Sequence, residues 1–182
     1  IAYKDLNNDG SINNQDRTVI GNPNPDFIYG LNSTMSYKNF DFTFFFQGNV
    51  GNDLFNASAI GSSIDYSSGL NMVKDVLYDH WTPENPNAKY PKISNTVNAN
   101  ISDRWIEDGS FLRLTNVQLA YNLPVDKLNI SWLKRLQVYA SGQNLLTFTD
   151  YSWWDPEVPS SGSDYLSYPV AKTYTFGIKA GF

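Results

Sequence analysis

The sequence predicts an all-β fold in which about five antiparallel strands are joined by two long loops and one short helix. Three observations support it: apolar and polar residues alternate in five segments, the connections differ greatly in length, and no apolar run approaches the ~18 residues of a membrane helix. Successive side chains of a strand point to opposite sides, so each segment has one apolar and one polar face. Such strands fit a wall between lipid and a wet lumen, and they also fit a soluble sandwich.

The first two strands are predicted to form a hairpin. Phe27–Tyr37 and Phe40–Val50 flank Lys38-Asn39, a dipeptide typical of a tight turn. The apolar faces consist of Phe27, Tyr29, Leu31, Met35 and Tyr37, followed by Phe40, Phe42, Phe44, Phe46 and Val50. Small and polar residues prevail on the opposite faces.

The third strand, Phe111–Leu123, changes phase along its length. Val117, Leu119, Tyr121 and Leu123 share one face, whereas Leu112 and Leu114 fall on the other. Two explanations are open: a β-bulge near Thr115-Asn116, or a first half that projects beyond the membrane.

The last two strands cover residues 136–148 and 172–182. The first has Leu136, Val138, Ala140, Leu146 and Phe148 on its apolar face, and the second has Tyr174, Phe176, Ile178, Ala180 and Phe182. Phe182 is the final residue, and we interpret it as a terminal aromatic signal of a barrel strand. Tyr37, Phe40, Tyr121 and Phe182 would then collect at one end of the strands, as an interfacial aromatic girdle does.

The connections alternate in length. The hairpin turn is short and residues 124–135 are a modest connection, whereas residues 51–103 and 150–171 are long. Outer-membrane barrels alternate in this way between periplasmic turns and extracellular loops. Because about eight strands are needed to close a small barrel, the remaining strands would come from residues outside this chain. The short helix is expected at residues 70–80, with Leu70, Val73, Leu77 and Trp81 on one face.

Composition excludes several classes of function. A net charge of −5 and a pI near 4.7 disfavour nucleic acid, and without cysteine there is neither a disulfide framework nor thiolate chemistry. The chain starts at Ile1 rather than at Met, so we expect it to be a piece of a longer protein.

Residues 5–16 match the calcium-loop pattern D-x-[DN]-x-[DN]-G. The pattern places oxygen ligands at Asp5, Asn7 and Asp9, a carbonyl at Ser11 and a carboxylate at Asp16, with a glycine at the sharp turn. The spacing therefore predicts one structural Ca²⁺, and the alternative is a polar turn without metal.

Other candidate sites are weaker. His80 stands alone, so a structural role is expected and a zinc site of the usual kind is not. Glu107-Asp108 and the Asp155/Glu157 pair lie near tryptophans and permit a glycosidase hypothesis, although loop carboxylates are the favoured interpretation. The long loops also carry Trp81, Tyr151, Trp153 and Trp154, which we predict to contact substrate or a partner.

Several strings, taken together, resemble the SusC/RagA group of TonB-dependent outer-membrane transporters. They are YKDLNNDG at 3–10, DRTVIGNPNP at 16–25, YKNFD at 37–41 running to FQG at 46–48, RWIEDGSFLRL at 104–114, YNLP at 121–124, GQNLLTFT at 142–149, DPE at 155–157 and YTFG at 174–177. They follow in order along nearly the whole chain. Asn8 stands where that group commonly has Gly, and Trp153-Trp154 stands where it has Gly-Tyr.

The resemblance implies that residues 1–182 are the carboxyl-terminal strands of a large transmembrane β-barrel of ~22 strands, whose plug lies upstream. It implies a multi-pass protein of the Gram-negative outer membrane, energised through TonB and lidded by a SusD-like lipoprotein. The substrate would be a glycan or oligosaccharide, or a peptide, and the chain would not be an enzyme. The alternatives are a secreted, calcium-dependent carbohydrate-binding β-module and a glycosidase fragment.

Overall fold

The computed structural model describes residues 2–66, 69, 71–94, 100–128 and 132–182. The strands are β1 (Phe27–Tyr37), β2 (Phe40–Val50), β3 (Asp53–Asn56), β4 (Ile106–Asp108), β5 (Phe111–Leu123), β6 (Arg135–Thr149), β7 (Ser163–Asp164) and β8 (Thr173–Gly181). The α-helices are α1 (Ala57–Ser63) and α2 (Lys74–Tyr78), and single 3-10 turns cover Asn14–Asp16, Asp103–Trp105 and Val125–Leu128.

The chain divides into two compact units. The sheet unit consists of Pro25–Gly51, Gly109–Asp150 and Tyr168–Phe182, and the loop unit consists of the described residues of Ile1–Asn24, Asn52–Asp108 and Tyr151–Ser167. The amino-terminal segment and both long connections therefore fold together into a unit of their own.

The sheet unit is one antiparallel sheet of five strands in the order β1-β2-β5-β6-β8. The predicted hairpin is confirmed, with Phe27 opposite Val50 and Tyr37 opposite Phe40. Lys38 has a φ of 54°, the left-handed conformation that a two-residue hairpin turn requires. All five predicted strands are confirmed, and β6 extends one residue beyond each predicted end.

A bulge explains the change of phase in β5. Phe45 of β2 pairs with Asn116 and Phe46 with Leu114, so Thr115 is an extra residue relative to β2. On the other side, Leu114 pairs with Leu146 and Asn116 with Gln143, so Thr115 lies opposite two residues of β6, Asn144 and Leu145. Asn144 adopts a φ of 53°, and this left-handed residue absorbs the local bend. The bulge returns Leu112 and Leu114 to the face of Val117, which decides between the two explanations left open by the sequence.

The apolar face of this sheet is continuous across all five strands. Because the bulge restores the common phase in β5 and the other four strands keep their predicted phase, the aromatic and aliphatic side chains lie opposite one another in the register, as in Leu31↔Phe46, Leu119↔Ala140 and Val138↔Ile178. Most of them are exposed, and Phe176 exposes 82% of its surface. Buried apolar side chains are the rule in a water-soluble sheet, so this face is built for apolar surroundings.

The opposite face is joined by side-chain hydrogen bonds across the strands. Asp41 accepts from Ser36 Oγ at 2.6 Å and from Asn122 Nδ2 at 2.7 Å, and Gln137 Nε2 donates to Asn122 Oδ1 at 2.9 Å. Farther along, Arg113 is 1% exposed and its Nε donates to Thr147 Oγ1 at 3.0 Å. The two faces of the sheet therefore differ in chemistry, as the alternation predicts.

Aromatic rings gather at the end of the sheet that carries the short turns. The Phe40 and Tyr121 rings lie 4.8 Å apart, and Phe182 stacks on Trp132 with centroids 5.4 Å apart. This agrees with the predicted girdle and adds Trp132, which lies in the 124–135 connection and was not singled out from the sequence.

The loop unit has a small sheet of its own in the order β4-β3-β7, which the sequence pattern did not predict. Its interior contains Leu54, Ile64, Val76, Trp105 and Tyr151. No helix in the described ranges is long and apolar enough to cross a membrane.

The predicted helix at 70–80 is shorter and differently oriented. It covers Lys74–Tyr78, and Leu70 lies outside the described residues. Val76 is its buried residue, whereas Leu77, predicted to be on the inner face, is exposed. That prediction of the inner face was wrong, because five residues form little more than one turn and a single side chain suffices to anchor them. A second helix, α1, was not predicted.

Candidate functional site: the tryptophan pair and the calcium-type loop

The calcium-type loop is closed by hydrogen bonds from its backbone N–H groups to its own carboxylates. Asp5 accepts from the N–H groups of Asn8 and Gly10, both at 2.7 Å, and Asp9 accepts from that of Ser11 at 2.8 Å. Asp16 accepts from the N–H groups of Leu6 and Asn13, each at 2.8 Å. Gly10 has a φ of 83°, which places the glycine at the sharp turn as the motif requires.

Asp5, Asn7, Asp9, Ser11 and Asp16 carry oxygen atoms of the kind that a hard cation binds, and the amide nitrogen of Asn7 donates to Asp9 Oδ2 at 2.9 Å. Across the described ranges, no group of three Asp, Glu, His or Cys side chains is arranged to hold a metal ion. The hydrogen bonds from the Asn13 and Leu6 backbones hold the pKa of Asp16 below its usual range, so that carboxylate is charged at neutral pH.

The two adjacent tryptophans form a stacked pair. The Trp153 and Trp154 rings are 5.5 Å apart at an interplanar angle of 23°. Trp154 exposes 60% of its surface. The Nε1 atom of Trp153 is buried and has no hydrogen-bond partner among the described residues. The pair therefore presents one broad indole face, the outer face of Trp154.

Tyr151 differs from the other residues predicted to contact a ligand, because its side chain lies in the interior of the loop unit. It is only 5% exposed, and its hydroxyl donates to Asp164 Oδ2 at 2.6 Å. Burial, together with the adjacent Asp164 carboxylate, raises the pKa of Tyr151 well above its usual value. Its ring supports the segment that carries the tryptophans rather than forming its surface.

Glu107 anchors the residue immediately before the pair. Its carboxylate accepts from Ser152 N at 2.8 Å and from Ser152 Oγ at 2.9 Å. Asn56 Nδ2 donates to the same carboxylate at 2.8 Å, and Asn56 is fully buried. The sequence identified Glu107 only as an acid of a glycosidase hypothesis. Its partners lie 45 and 51 residues away in the chain, so no local signal indicated this role.

The remaining predicted residues are placed separately. Trp81 is 39% exposed, and it follows His80, whose Nδ1 lies 2.9 Å from the Val76 carbonyl oxygen. That contact ties the histidine to α2 and is consistent with a structural role. Phe182 belongs to the sheet unit, in the stack with Trp132 described above.

Comparisons with known proteins cover nearly the whole chain. TonB-dependent receptor P3 of Formosa agariphila is 38% identical over 191 residues, 99% of this chain. TonB-dependent receptor SusC of Bacteroides thetaiotaomicron is 30% identical over 184 residues, also 99% of this chain. The chain is homologous to TonB-dependent receptors of the SusC/RagA group. A structure of the RagAB peptide transporter matches 94% of the chain with a TM-score of 0.82 and 26% identity.

This SusC/RagA-type chain spans 19% of the length of receptor P3 and 17% of SusC. It likewise covers 19% of the matched chain of the RagAB transporter. No family model matches it. The relatives are receptors and transporters rather than enzymes, which disfavours the glycosidase hypothesis for Glu107.

Proposed function

We propose that this chain is part of a SusC-type outer-membrane importer. The observation that carries the proposal is the five-stranded sheet with an exposed apolar face and a hydrogen-bonded polar face. In a transmembrane barrel the apolar face meets lipid and the polar face lines the interior. The similarity to SusC and to the RagAB transporter supports the same assignment.

The importer is energised through TonB, acting on a plug that this chain does not contain. Residues 1–182 supply carboxyl-terminal strands of a large barrel, and the rest of the barrel comes from elsewhere in the protein. A SusD-like surface lipoprotein lids the extracellular mouth and captures the nutrient. The cargo is a glycan or oligosaccharide, or a peptide.

Trp153 and Trp154 contact that lid or the passing substrate. An exposed, rigid aromatic pair provides a large contact area at a small cost in conformational entropy, which is why tryptophan is frequent at binding hot spots. Tyr165, which is 79% exposed and lies in the same unit, offers a matched control.

The test combines Trp153→Ala with Trp154→Ala in the full-length receptor. We expect weaker co-purification of the lid or slower uptake, while heat-modifiable gel mobility shows an intact barrel. Tyr165→Ala is expected to leave lid recovery and uptake unchanged. Wild-type growth on the natural nutrient, together with full recovery of the lid by the double variant, contradicts the assignment.

We also propose that residues 5–16 bind one structural Ca²⁺. The proposal is supported by the oxygen ligands at Asp5, Asn7, Asp9, Ser11 and Asp16 and by the left-handed Gly10. Extracellular calcium sites are typically weak, with a Kd of about 10⁻⁴–10⁻³ M. The expected result is that millimolar Ca²⁺, but not Mg²⁺, slows amide exchange of this loop in the wild type and has no such effect in Asp9→Ala. Equal exchange with and without Ca²⁺ contradicts the proposal.

A further inference from the structure

The segment that carries the tryptophan pair is held at both ends. Before the pair, Tyr151 and Ser152 are bonded to Asp164 and Glu107. After it, Asp155 is buried and accepts from the Glu157 N–H at 2.9 Å. Between these anchors no regular secondary structure fixes the two rings. Their orientation therefore depends on the anchoring contacts, on the packing around the half-buried Trp153 and on the stack itself.

Glu107 holds the residue that immediately precedes the pair. Both the backbone N–H and the hydroxyl of Ser152 donate to its carboxylate, one to each oxygen. This two-point contact fixes a position and a direction, and hydrogen bonds to a carboxylate are roughly twice as strong as neutral ones. Ser152 itself is exposed, so burial does not hold it in place.

Glu107 is in turn fixed from behind. Asn56 donates to Glu107 through its amide nitrogen, and through its oxygen it accepts from the Ala59 N–H at 2.9 Å, which caps α1. One chain of hydrogen bonds thus runs from the start of α1 through Asn56 and Glu107 to Ser152. It ends one residue before Trp153.

We infer that Glu107 is a positioning residue for the tryptophan pair: its carboxylate fixes Ser152 and thereby the direction in which the indole face of Trp154 points. This inference rests on the proposed role of the pair in contacting lid or substrate. The carboxylate is required rather than any polar group, because three donors converge on it. In Glu107→Gln, the amide turns a donor towards Ser152 N–H or towards Asn56 Nδ2, and one contact is lost in either orientation.

The experiment uses the full-length receptor in detergent and two readouts that do not depend on transport. The first is the circular-dichroism couplet of the stacked indoles, obtained as the difference between the wild type and Trp154→Phe. The second is amide exchange of residues 151–155. We expect Glu107→Gln to lose the couplet and the protection of this segment, while exchange in β5 and heat-modifiable mobility stay at wild-type levels. Glu157→Gln, the same type of substitution just after residues 151–155, is the control, and we expect it to keep both the couplet and the protection.

A second variant keeps the inference falsifiable if Glu107→Gln fails to assemble. Ser152→Ala removes only the hydroxyl contact at an exposed position, and we expect a measurable decrease of the couplet. The positioning role is overturned if Glu107→Gln keeps both the couplet and the protection of the wild type. If Glu107→Gln does not assemble, a wild-type couplet in Ser152→Ala overturns it instead. If instead Glu107→Gln loses the couplet but lid recovery and uptake are unaffected, both there and in the double tryptophan variant, the positioning role stands and the proposed function of the pair is wrong.

Discussion

The sheet unit and the loop unit use apolar residues in opposite ways. In the sheet unit, rings such as Phe176 lie outside, and the polar groups of Asp41 and Asn122 are bonded to each other across the strands. In the loop unit, Leu54 and Trp105 are buried, as in a water-soluble protein. One short chain therefore encodes a unit suited to apolar surroundings and a unit suited to water. The two faces of the sheet show this more clearly than the average composition of the chain does.

The units also differ in what fixes them. The sheet is a ladder of backbone pairs that runs along each strand and shifts in register at the β5 bulge. The strands in the described part of the loop unit are short, and this unit depends on individual polar contacts such as Tyr151 to Asp164 and Asn56 to Glu107. We therefore expect a single substitution in the sheet unit to affect the whole sheet, and a single substitution in the loop unit to affect only its own surroundings.

The largest expected effect is a charge on the apolar face of the sheet. Phe44 packs between the rings of Phe42 and Phe46, each 5.8 Å away, so Phe44→Lys places an ammonium group on the face that the proposed function assigns to lipid. The expected cost is about 2–4 kcal/mol of barrel stability near mid-bilayer. Thr43→Lys, on the polar face of the same strand, is the control. Heat-modifiable gel mobility measures both, and equal tolerance of the two changes contradicts the assigned orientation.

In the loop unit the largest effect is expected from Tyr151→Phe. The change removes the hydroxyl that donates to Asp164 and leaves a buried carboxylate oxygen without that donor. A hydrogen bond to a charged group contributes about 1.5–3 kcal/mol, so residues 151–167 should be cleaved faster by protease while the sheet unit is unchanged. Tyr165→Phe in the same segment should have no effect. Identical cleavage of both variants and the wild type speaks against this local role.

A smaller effect is expected from Gly48→Ala in the sheet. A methyl group there meets the Phe111 carbonyl oxygen and the hydroxyl of Tyr29, whose ring lies over the glycine. Overpacking of this kind typically costs about 1–3 kcal/mol. Gly30→Ala meets only the edge of the Phe45 ring at 3.2 Å and should cost less. The midpoint of thermal unfolding of the barrel measures the cost of each variant. A lower midpoint for Gly30→Ala than for Gly48→Ala would contradict this prediction.

The smallest effect concerns alkaline pH and again separates the units. Burial first, and then the Asp164 carboxylate, raise the pKa of Tyr151 above its ordinary value near 10. The folded unit therefore retains this proton more firmly than the unfolded chain. Its contribution to stability is complete below pH 10 and is lost as the pH rises above it. Protection of residues 151–167 should fall less steeply above pH 10 in Tyr151→Phe than in the wild type, and parallel profiles would contradict the assignment.

The sequence predicted the sheet well because its signal is local. Alternation with a period of two identifies each strand from its own residues, and only the phase of Leu112 and Leu114 needed the structure. The left-handed Asn144, which faces the bulge, gives no pattern that distinguishes it from its neighbours.

The loop unit and the candidate site were only partly predictable because their contacts join distant residues. β3 has four residues and β7 has two, too few for a period to appear. Trp153 and Trp154 can be identified from the sequence as aromatic loop residues. The burial of Tyr151 and the anchoring by Glu107 depend on partners that only the fold brings together.

The orientation of the sheet in a membrane can be measured residue by residue. The chain contains no cysteine, so single cysteines placed along Phe40–Val50 can carry a spin label, in full-length receptor in which any cysteine outside this chain has been replaced. We expect collisions with dissolved oxygen to dominate at positions 40, 42, 44 and 46, and collisions with a water-soluble nickel complex to dominate at positions 41, 43 and 47. Nickel accessibility of similar strength at all positions, without a period of two, would contradict the assignment of one face to lipid and the other to the interior.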